Sequence, residues 1–425
     1  MGRYQQMWEG VRYTHSKPEM RKRGLSLQNE VKEKELDHTL RVYSDVTQLI
    51  ASVHNPTPLV RLNKINANRG FEIYLKLERY NPFGSIKDRI AYEMLRALDI
   101  GGRTVVEPSS GNTGIALACV ANALGIPVEI AVPEGIPEEK KVILRFLGAK
   151  VREVDDALCP LFPTEGARGL VNGLVKSPAT RDSYISPNQY ENELNVQAHY
   201  RTTGPEIWKQ TQGKIDYFFA GFGTCGTITG VGRYLKEQNP ATRIIGVEPS
   251  SPNHKLPGMK RITGLDAEFV PKILDSSVID DAVEVTDEDA YRTTIELARK
   301  DGIPVGPTTG AILHVALNYA RSNTGLAVVI SPDDAFKYAS FYQDILETES
   351  GDLHKREYDL CDLVCPLSKI KAIELIDGLD EGETARIILG DKDSLKSVAQ
   401  ELKARGLEAG FETEGEDRFI LTITR

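Results

Sequence analysis

The chain has 425 residues, of which 40% are hydrophobic and 27% charged, with a formal net charge of −9 and a pI near 5.5. This is an ordinary globular composition, long enough for two to three domains. Its acidic balance argues against a nucleic-acid partner, and no run approaches the roughly 18 apolar residues that span a bilayer, so no membrane partner is expected. The first residues, Met1-Gly2-Arg3-Tyr4-Gln5-Gln6, lack the apolar core of a secretion signal. Five scattered cysteines (Cys119, Cys159, Cys225, Cys361, Cys365) make no disulfide framework, so a cytoplasmic protein with free thiols is expected.

Residues 1–47 are polar, carry both charge signs and show weak helical patterning around Leu25 to Val42; they read as an N-terminal extension. From 48 to 345, short apolar runs alternate with helical segments. Strands are expected at Ile73–Leu77, Thr104–Glu107, Val128–Val132, Tyr217–Ala220, Arg243–Glu248 and Ala327–Ser331. Helices are expected at Gly114–Ala123, Glu138–Leu147, Gly230–Glu237, Asp287–Asp301 and Ala311–Arg321. Such alternation implies an α/β fold with a mostly parallel sheet covered on both faces. No GxGxxG follows the first strand, so the nicotinamide-binding version of this architecture is not indicated. Residues 346–356 are polar and read as a linker. Residues 357–425 follow a βαβαββ order, a compact α+β unit, with strands at Glu357–Leu360, Thr384–Leu389, Glu408–Glu412 and Arg418–Thr424 and helices at Leu367–Leu379 and Ser394–Arg405.

Four segments carry chemistry. Asn81-Pro82-Phe83-Gly84-Ser85-Ile86-Lys87-Asp88-Arg89 sets a lysine in a glycine-bearing turn before a helical run (Ile90, Ala91, Met94, Leu95, Leu98). On a buried first turn an amine loses hydration, which favours the neutral, nucleophilic form able to make a Schiff base with a carbonyl. Taken alone, the segment reads equally as an ordinary capped helix start. Glu107-Pro108-Ser109-Ser110-Gly111-Asn112-Thr113-Gly114 joins a strand to a helix through small hydroxyl residues and helix-start amides, either a cap or a cradle for a carboxylate. Ala220-Gly221-Phe222-Gly223-Thr224-Cys225-Gly226-Thr227-Ile228-Thr229-Gly230 repeats that arrangement with more glycine, which lets backbone approach a phosphate. No Lys-Ser/Thr follows the glycines, so a compact monophosphate fits better than a triphosphate. Val305-Gly306-Pro307-Thr308-Thr309-Gly310-Ala311 opens a further helix, where a neutral hydroxyl could contact a ring nitrogen without protonating it.

A Schiff-base lysine, a monophosphate cradle and a carboxylate cradle together specify pyridoxal phosphate acting on an amino acid. Over residues 48–345 the chain resembles the cysteine synthase (O-acetylserine sulfhydrylase / cystathionine β-synthase) family of fold type II pyridoxal-phosphate enzymes. The likeness rests on the lysine segment, Ser110-Gly111-Asn112-Thr113-Gly114, the glycine loop, Asn55-Pro56-Thr57-Pro58-Leu59-Val60 and Thr202-Thr203-Gly204-Pro205-Glu206-Ile207. It implies two parallel-sheet α/β subdomains and a homodimer. It further implies that Lys87 carries the cofactor and later acts as base and acid. Ser110, Gly111, Asn112, Thr113 and Gln189 would hold the substrate carboxylate, with Asn112 near the cofactor's phenolic oxygen. Gly223, Thr224, Cys225, Gly226 and Thr227 would hold the phosphate, and Thr308 would meet the pyridine nitrogen. A neutral partner there leaves a weaker electron sink, suited to β-elimination and replacement. Two departures stand out: Cys225 replaces the family's glycine, as a tolerated side chain or a redox-sensitive thiol. Gly264-Leu265-Asp266-Ala267 replaces a Gly-Ile-Gly run near the substrate, so that Asp266, if it faces the site, would repel anionic side chains or engage an amine.

Cys365 precedes Pro366 at a strand-to-helix junction, where a helix dipole lowers a thiol pKa. Cys361-x-x-x-Cys365 lacks a second ligand pair, so no structural zinc is expected. Residues 357–425 resemble the TusA-like (SirA-like) sulfur carriers, whose Cys-Pro cysteine holds a persulfide; Ser368 and Cys361 depart from the family's usual proline and arginine. The expected function is β-replacement making L-cysteine from an activated serine (O-acetyl or O-phospho) and a sulfur donor or sulfur-relay protein, with sulfur delivered on Cys365. Cysteine desulfhydration passing sulfur to the carrier, cystathionine synthesis, and a ligand-binding sulfur-status sensor are the alternatives.

Overall fold

The computed structural model describes residues 42–155, 165–252, 254–266, 269–339, 341–342, 345–346, 356–361, 367–379, 384–407, 409–413 and 418–424. Residues 1–41, Cys159 and the Cys365–Pro366 pair lie outside them. Ser44–Arg425 forms one compact unit.

In chain order the elements are β1 (Leu59–Arg61), β2 (Phe71–Leu77), α1 (Lys87–Ala97), β3 (Thr104–Pro108), α2 (Asn112–Leu124), β4 (Val128–Pro133), α3 (Glu138–Phe146), β5 (Lys150–Val154) and α4 (Gly166–Lys176). There follow β6 (Tyr184–Ile185), α5 (Glu193–Ala198), a π-helical turn (His199–Thr203), α6 (Gly204–Gln210), β7 (Tyr217–Gly221), α7 (Gly226–Gln238), β8 (Arg243–Pro249), β9 (Asp281–Val285), α8 (Asp287–Asp301), α9 (Pro307–Ala320) and β10 (Gly325–Ser331). They build two sheets. One has the order β1-β2-β10-β7-β8-β9, parallel except at the β1 edge; the other, β5-β4-β3-β6, is wholly parallel.

The central strands of both sheets are buried on both faces, which is why they read as unbroken apolar runs. In the six-stranded sheet, Phe219, Ile245 and Val329 pack under α8 and α9, while their neighbours Phe218, Ile244 and Val328 pack with Ile228, Val231 and Leu235 of α7. In the four-stranded sheet, Val105 and Ile130 face α2, and Val106 and Ala131 face Val171 of α4.

A third sheet is formed by β11 (Arg356–Leu360), β12 (Thr384–Leu389), β13 (Ala409–Thr413) and β14 (Phe419–Thr424), in the order β11-β12-β14-β13. Helices α10 (Leu367–Asp377) and α11 (Lys392–Ala404) follow β11 and β12, and a separate apolar cluster, including Ala372, Ile387, Val398 and Leu421, joins helices to strands. Among the described residues no helix is long and apolar enough to cross a membrane, no acidic, histidine and cysteine cluster is set to hold a metal, and Cys119, Cys225 and Cys361 form no disulfide.

Candidate active site

Three of the four segments singled out in the sequence leave the carboxyl ends of parallel strands, where open α/β sheets bind ligands, and the fourth, with Thr308, opens α9 directly after α8. The turns after β3 and β6 come from one sheet and those after β2, β7 and β10 from the other. They line one cavity of about 780 Å³ that contains Lys87, Ser110, Gly111, Asn112, Thr113, Gln189, Gly223, Thr224, Cys225, Thr227 and Thr308.

Lys87 is the first residue of α1. Its turn is closed by Asp88, whose carboxylate accepts the Phe83 N–H at 2.7 Å and lies 3.3 Å from the Ser85 hydroxyl; burial pushes Asp88 up to about 7. Behind it, Arg89 is fixed in a dry charge cluster. Its guanidinium meets Glu78 at 2.6 Å and Glu206 at 2.5 Å, Lys76 meets Glu206 at 2.7 Å, and the Thr57 hydroxyl donates to Glu78 at 2.7 Å. The Lys87 amine itself borders the cavity, and dehydration lowers it to about 8 against the opposing pull of Cys225 and Asp333.

The carboxylate turn is pinned from two sides. Ser109 Oγ accepts the Gly114 N–H at 3.0 Å, and Gly114 admits no Cβ, which would meet Ser109 O at 2.8 Å. The Ser110 hydroxyl is uncommitted among the described residues and borders the cavity. Thr113 Oγ1 donates to Gln189 Oε1 at 2.8 Å. Gln189 is held by Glu107, which accepts the N–H groups of Gln189 and Asn188 at 3.1 and 3.0 Å; burial raises the Glu107 pKa. Asn112 donates to Asp333 at 2.6 Å and accepts from Lys337 Nζ at 3.0 Å. Lys337 also donates to Gly84 O at 2.9 Å, so one ammonium joins the lysine turn to the carboxylate turn.

In the glycine turn, a Cβ on Gly223 would meet Gly258 O at 2.5 Å and one on Gly226 would collide with the Asn195 amide, so both positions require glycine. Gly226 opens α7 just off the cavity wall. Asn195 donates to Thr224 Oγ1 at 3.1 Å, leaving that hydroxyl its own proton to donate, while Asn195 Oδ1 is buried without a partner. Thr227 Oγ1 is 3.2 Å from His199 Nε2; burial, with Arg89 and Lys87 near, drives His199 down to about 3, so the imidazole is neutral. Cys225 sits at φ 68°, the left-handed region, and is 3% exposed; burial pushes its thiol up to about 12, away from thiolate reactivity. Thr308, in the first turn of α9, donates to Pro257 O at 3.0 Å, and a ring nitrogen would compete for that proton.

Asp266 lies exposed and off the cavity wall, so its carboxylate does not face the site; Phe269 N–H caps its carbonyl at 2.9 Å in a surface turn. Sequence reasoning missed Asp333, Lys337 and Tyr338, which follow β10, together with Tyr190 and Lys260. The signal was present: Asp333-Asp334-Ala335-Phe336-Lys337-Tyr338 is a polar burst straight after a buried parallel strand.

An amine of lowered pKa, a carboxylate-free glycine cradle at a helix start, an orphaned buried amide oxygen beside it and a neutral hydroxyl opposite suit a phosphorylated pyridine aldehyde. Two sheets sharing such a cavity define a fold type II pyridoxal-phosphate enzyme. Residues 50–333 match the family described as pyridoxal-phosphate dependent enzyme, and the chain belongs to it. It is 42% identical over 309 residues to a cysteine synthase of Aquifex aeolicus, covering 70% of this chain and 92% of that protein. It is 36% identical over 310 residues to the O-acetylserine dependent cystathionine beta-synthase of Bacillus subtilis, covering 71% and 97%. Among solved structures, the cysteine synthase of Entamoeba histolytica superposes with a TM-score of 0.64 at 29% identity, covering 71% of this chain and 90% of that one. A hydrogen sulfide-producing enzyme of Fusobacterium nucleatum gives 0.62 at 34% identity, covering 70% and 100%.

Proposed function

We propose that the chain makes L-cysteine by pyridoxal-phosphate-dependent β-replacement, from an activated L-serine (O-acetyl or O-phospho) and a sulfur donor. The observation that carries this is Lys87: a cavity amine lowered to about 8, set between a carboxylate turn and a phosphate cradle. The bound cofactor supplies electron withdrawal at the substrate's α-carbon. Ser110, the amides of Gly111, Asn112 and Thr113, and Gln189 hold the carboxylate. Lys87, neutral once displaced, takes the α-proton and returns it after sulfur has added. Gly223 to Thr227 would hold the phosphate, and Thr308 would meet the ring nitrogen with a neutral hydroxyl, which would favour loss of the β-substituent over transamination.

Residues 357–425 act as a TusA-like sulfur-carrier domain behind a 346–356 linker, an assignment supported by the separate apolar cluster of β11 to β14. Cys365 would carry the persulfide. Tethering raises its effective concentration at the cavity. Release of sulfide oxidises a second thiol, with Cys361 the candidate in this chain. The working form is a cytoplasmic homodimer. Purified holoenzyme given O-acetylserine or O-phosphoserine with sulfide should release cysteine. Sulfide production from cysteine alone, at a higher rate, would replace this reading with the desulfhydrase one, which the likeness to a hydrogen sulfide-producing enzyme favours. A Cys365→Ala enzyme that uses the physiological sulfur source as well as wild type would remove the carrier role.

A further inference from the structure

Two cations of the cavity lining, Lys140 and Lys260, have no task in the chemistry above, and Lys140 lies on α3 beside the Glu139 carboxylate. Lys260 borders the cavity beside the phosphate turn, where its backbone N–H donates to Phe222 O at 2.8 Å. Its ammonium lies 4.3 Å from the ring centroid of Tyr190, the residue after Gln189, and the Arg168 guanidinium lies 4.9 Å from the same centroid. Among the described residues Lys260 has no carboxylate partner and its ammonium donates no hydrogen bond. Burial, with Arg168 beside it, lowers it to about 8. A largely dehydrated ammonium with only a ring face against it is costly unless an anion completes it.

No side chain of the lining supplies that anion, and the cofactor phosphate proposed for the Gly223 to Thr227 turn has the amides and hydroxyls of that turn as its own donors. Lys337 is spent on Gly84 and Asn112, and Asp333 accepts from Asn112 and Tyr338 through one oxygen, while its charge acts on Lys87 and not on Lys260. Glu139, the remaining carboxylate of the lining, is exposed on α3. A substrate whose carboxylate is held by Ser110 to Thr113 and Gln189, with its α-carbon at Lys87, directs its β-substituent along the adjoining wall. Tyr190, the residue after Gln189, and Lys260 against its ring border that same cavity.

We propose that Lys260 is a specificity-determining residue that selects a donor with a dianionic phosphate leaving group, O-phospho-L-serine, over O-acetyl-L-serine. The inference rests on the β-replacement reading. The Cβ–O bond breaks with its electron pair leaving on inorganic phosphate, and sulfur then bonds to Cβ: O-phospho-L-serine plus hydrogen sulfide gives L-cysteine plus hydrogen phosphate. Lys260 pairs with the phosphate before and after cleavage and takes no proton.

The test measures kcat/KM for both donors with sulfide in wild type, Lys260→Met and Lys260→Arg holoenzymes, each checked for cofactor loading. Wild type should prefer O-phosphoserine; Lys260→Met should lower the phospho-to-acetyl ratio by about ten- to a hundredfold, chiefly through KM, and Lys260→Arg should keep the preference. A wild-type preference for O-acetylserine, or an unchanged ratio in Lys260→Met, overturns the proposal. So does a loss confined to thiosulfate as sulfur source, which would assign Lys260 to the nucleophile. If neither donor yields cysteine, β-replacement itself falls. Calorimetric binding of O-phosphoserine then decides the subsite: about tenfold weaker binding to Lys260→Met supports it, and equal binding overturns it.

Discussion

Asn112 at the start of α2 donates to the Asp333 carboxylate at 2.6 Å, across 221 residues of sequence. That bond couples a turn of the four-stranded sheet to the end of β10 in the other sheet, and Tyr338 donates its phenol to the same carboxylate oxygen. Asp333→Ala should therefore leave the buried Tyr338 phenol and the half-buried Asn112 amide unmatched. The expected loss is about 1–3 kcal/mol of stability, together with a KM for the serine donor raised about tenfold. Chemical denaturation and steady-state kinetics read the two effects separately; an unchanged KM would make Asp333 a purely structural residue.

Lys87→Ala should reduce turnover on the order of a thousandfold and abolish borohydride-stable attachment of cofactor to the chain, seen by intact mass. In wild type, capture of free cofactor by apoenzyme should rise about tenfold per pH unit below about 8 and level off above it, because only the neutral amine attacks. Capture independent of pH between 6 and 9 would contradict the burial of this amine.

His199 is held neutral, its folded value of about 3 lying below the ordinary 6.5. Between those two values the unfolded chain binds a proton that the folded chain refuses. Stability should thus be full above about 6.5 and fall with acid by up to about 1.4 kcal/mol per pH unit toward 3. His199→Gln should flatten that part of the stability-against-pH curve measured by urea unfolding; an identical slope in the variant would assign the acid sensitivity elsewhere.

Cys225 occupies a left-handed conformation at φ 68°. Cys225→Gly should lie within about 1 kcal/mol of wild type, strain relief offsetting lost packing and chain entropy. Cys225→Val, branched at Cβ, should lose about 1–3 kcal/mol and weaken cofactor retention. Equal melting temperatures for the two variants would show that the backbone at this turn is not demanding.

Much of this arrangement could be read from the residues alone, for physical reasons that also set the limits. Strands such as Tyr217–Gly221 and Gly325–Ser331 are apolar on both faces and announce themselves; β5, Lys-Val-Arg-Glu-Val, is a half-exposed edge and reads as a loop. Helices α7 and α9 begin at Gly226 and Pro307, four residues ahead of the expected Gly230 and Ala311. The glycine and threonine that depress helix propensity there are the residues that put amides at the cavity. Asp333 and Lys337 escaped notice because their partners, Asn112 and Gly84, are close only in the folded chain. Asp266 drew attention because a charge stood where glycine was expected, and sequence cannot tell an inward turn from the exposed one observed.

The cluster of Thr57, Lys76, Glu78, Arg89 and Glu206 makes the ground behind Lys87 a single interlocked unit. Glu206 answers two cations at once, so its loss strips Lys76 of its carboxylate partner and leaves Arg89 with Glu78 alone, at about 3–5 kcal/mol. Single replacements there are costly, and the five side chains hold or fail together. The firmness of the turn that presents Lys87 is therefore collective, supplied by side chains that never reach the cavity.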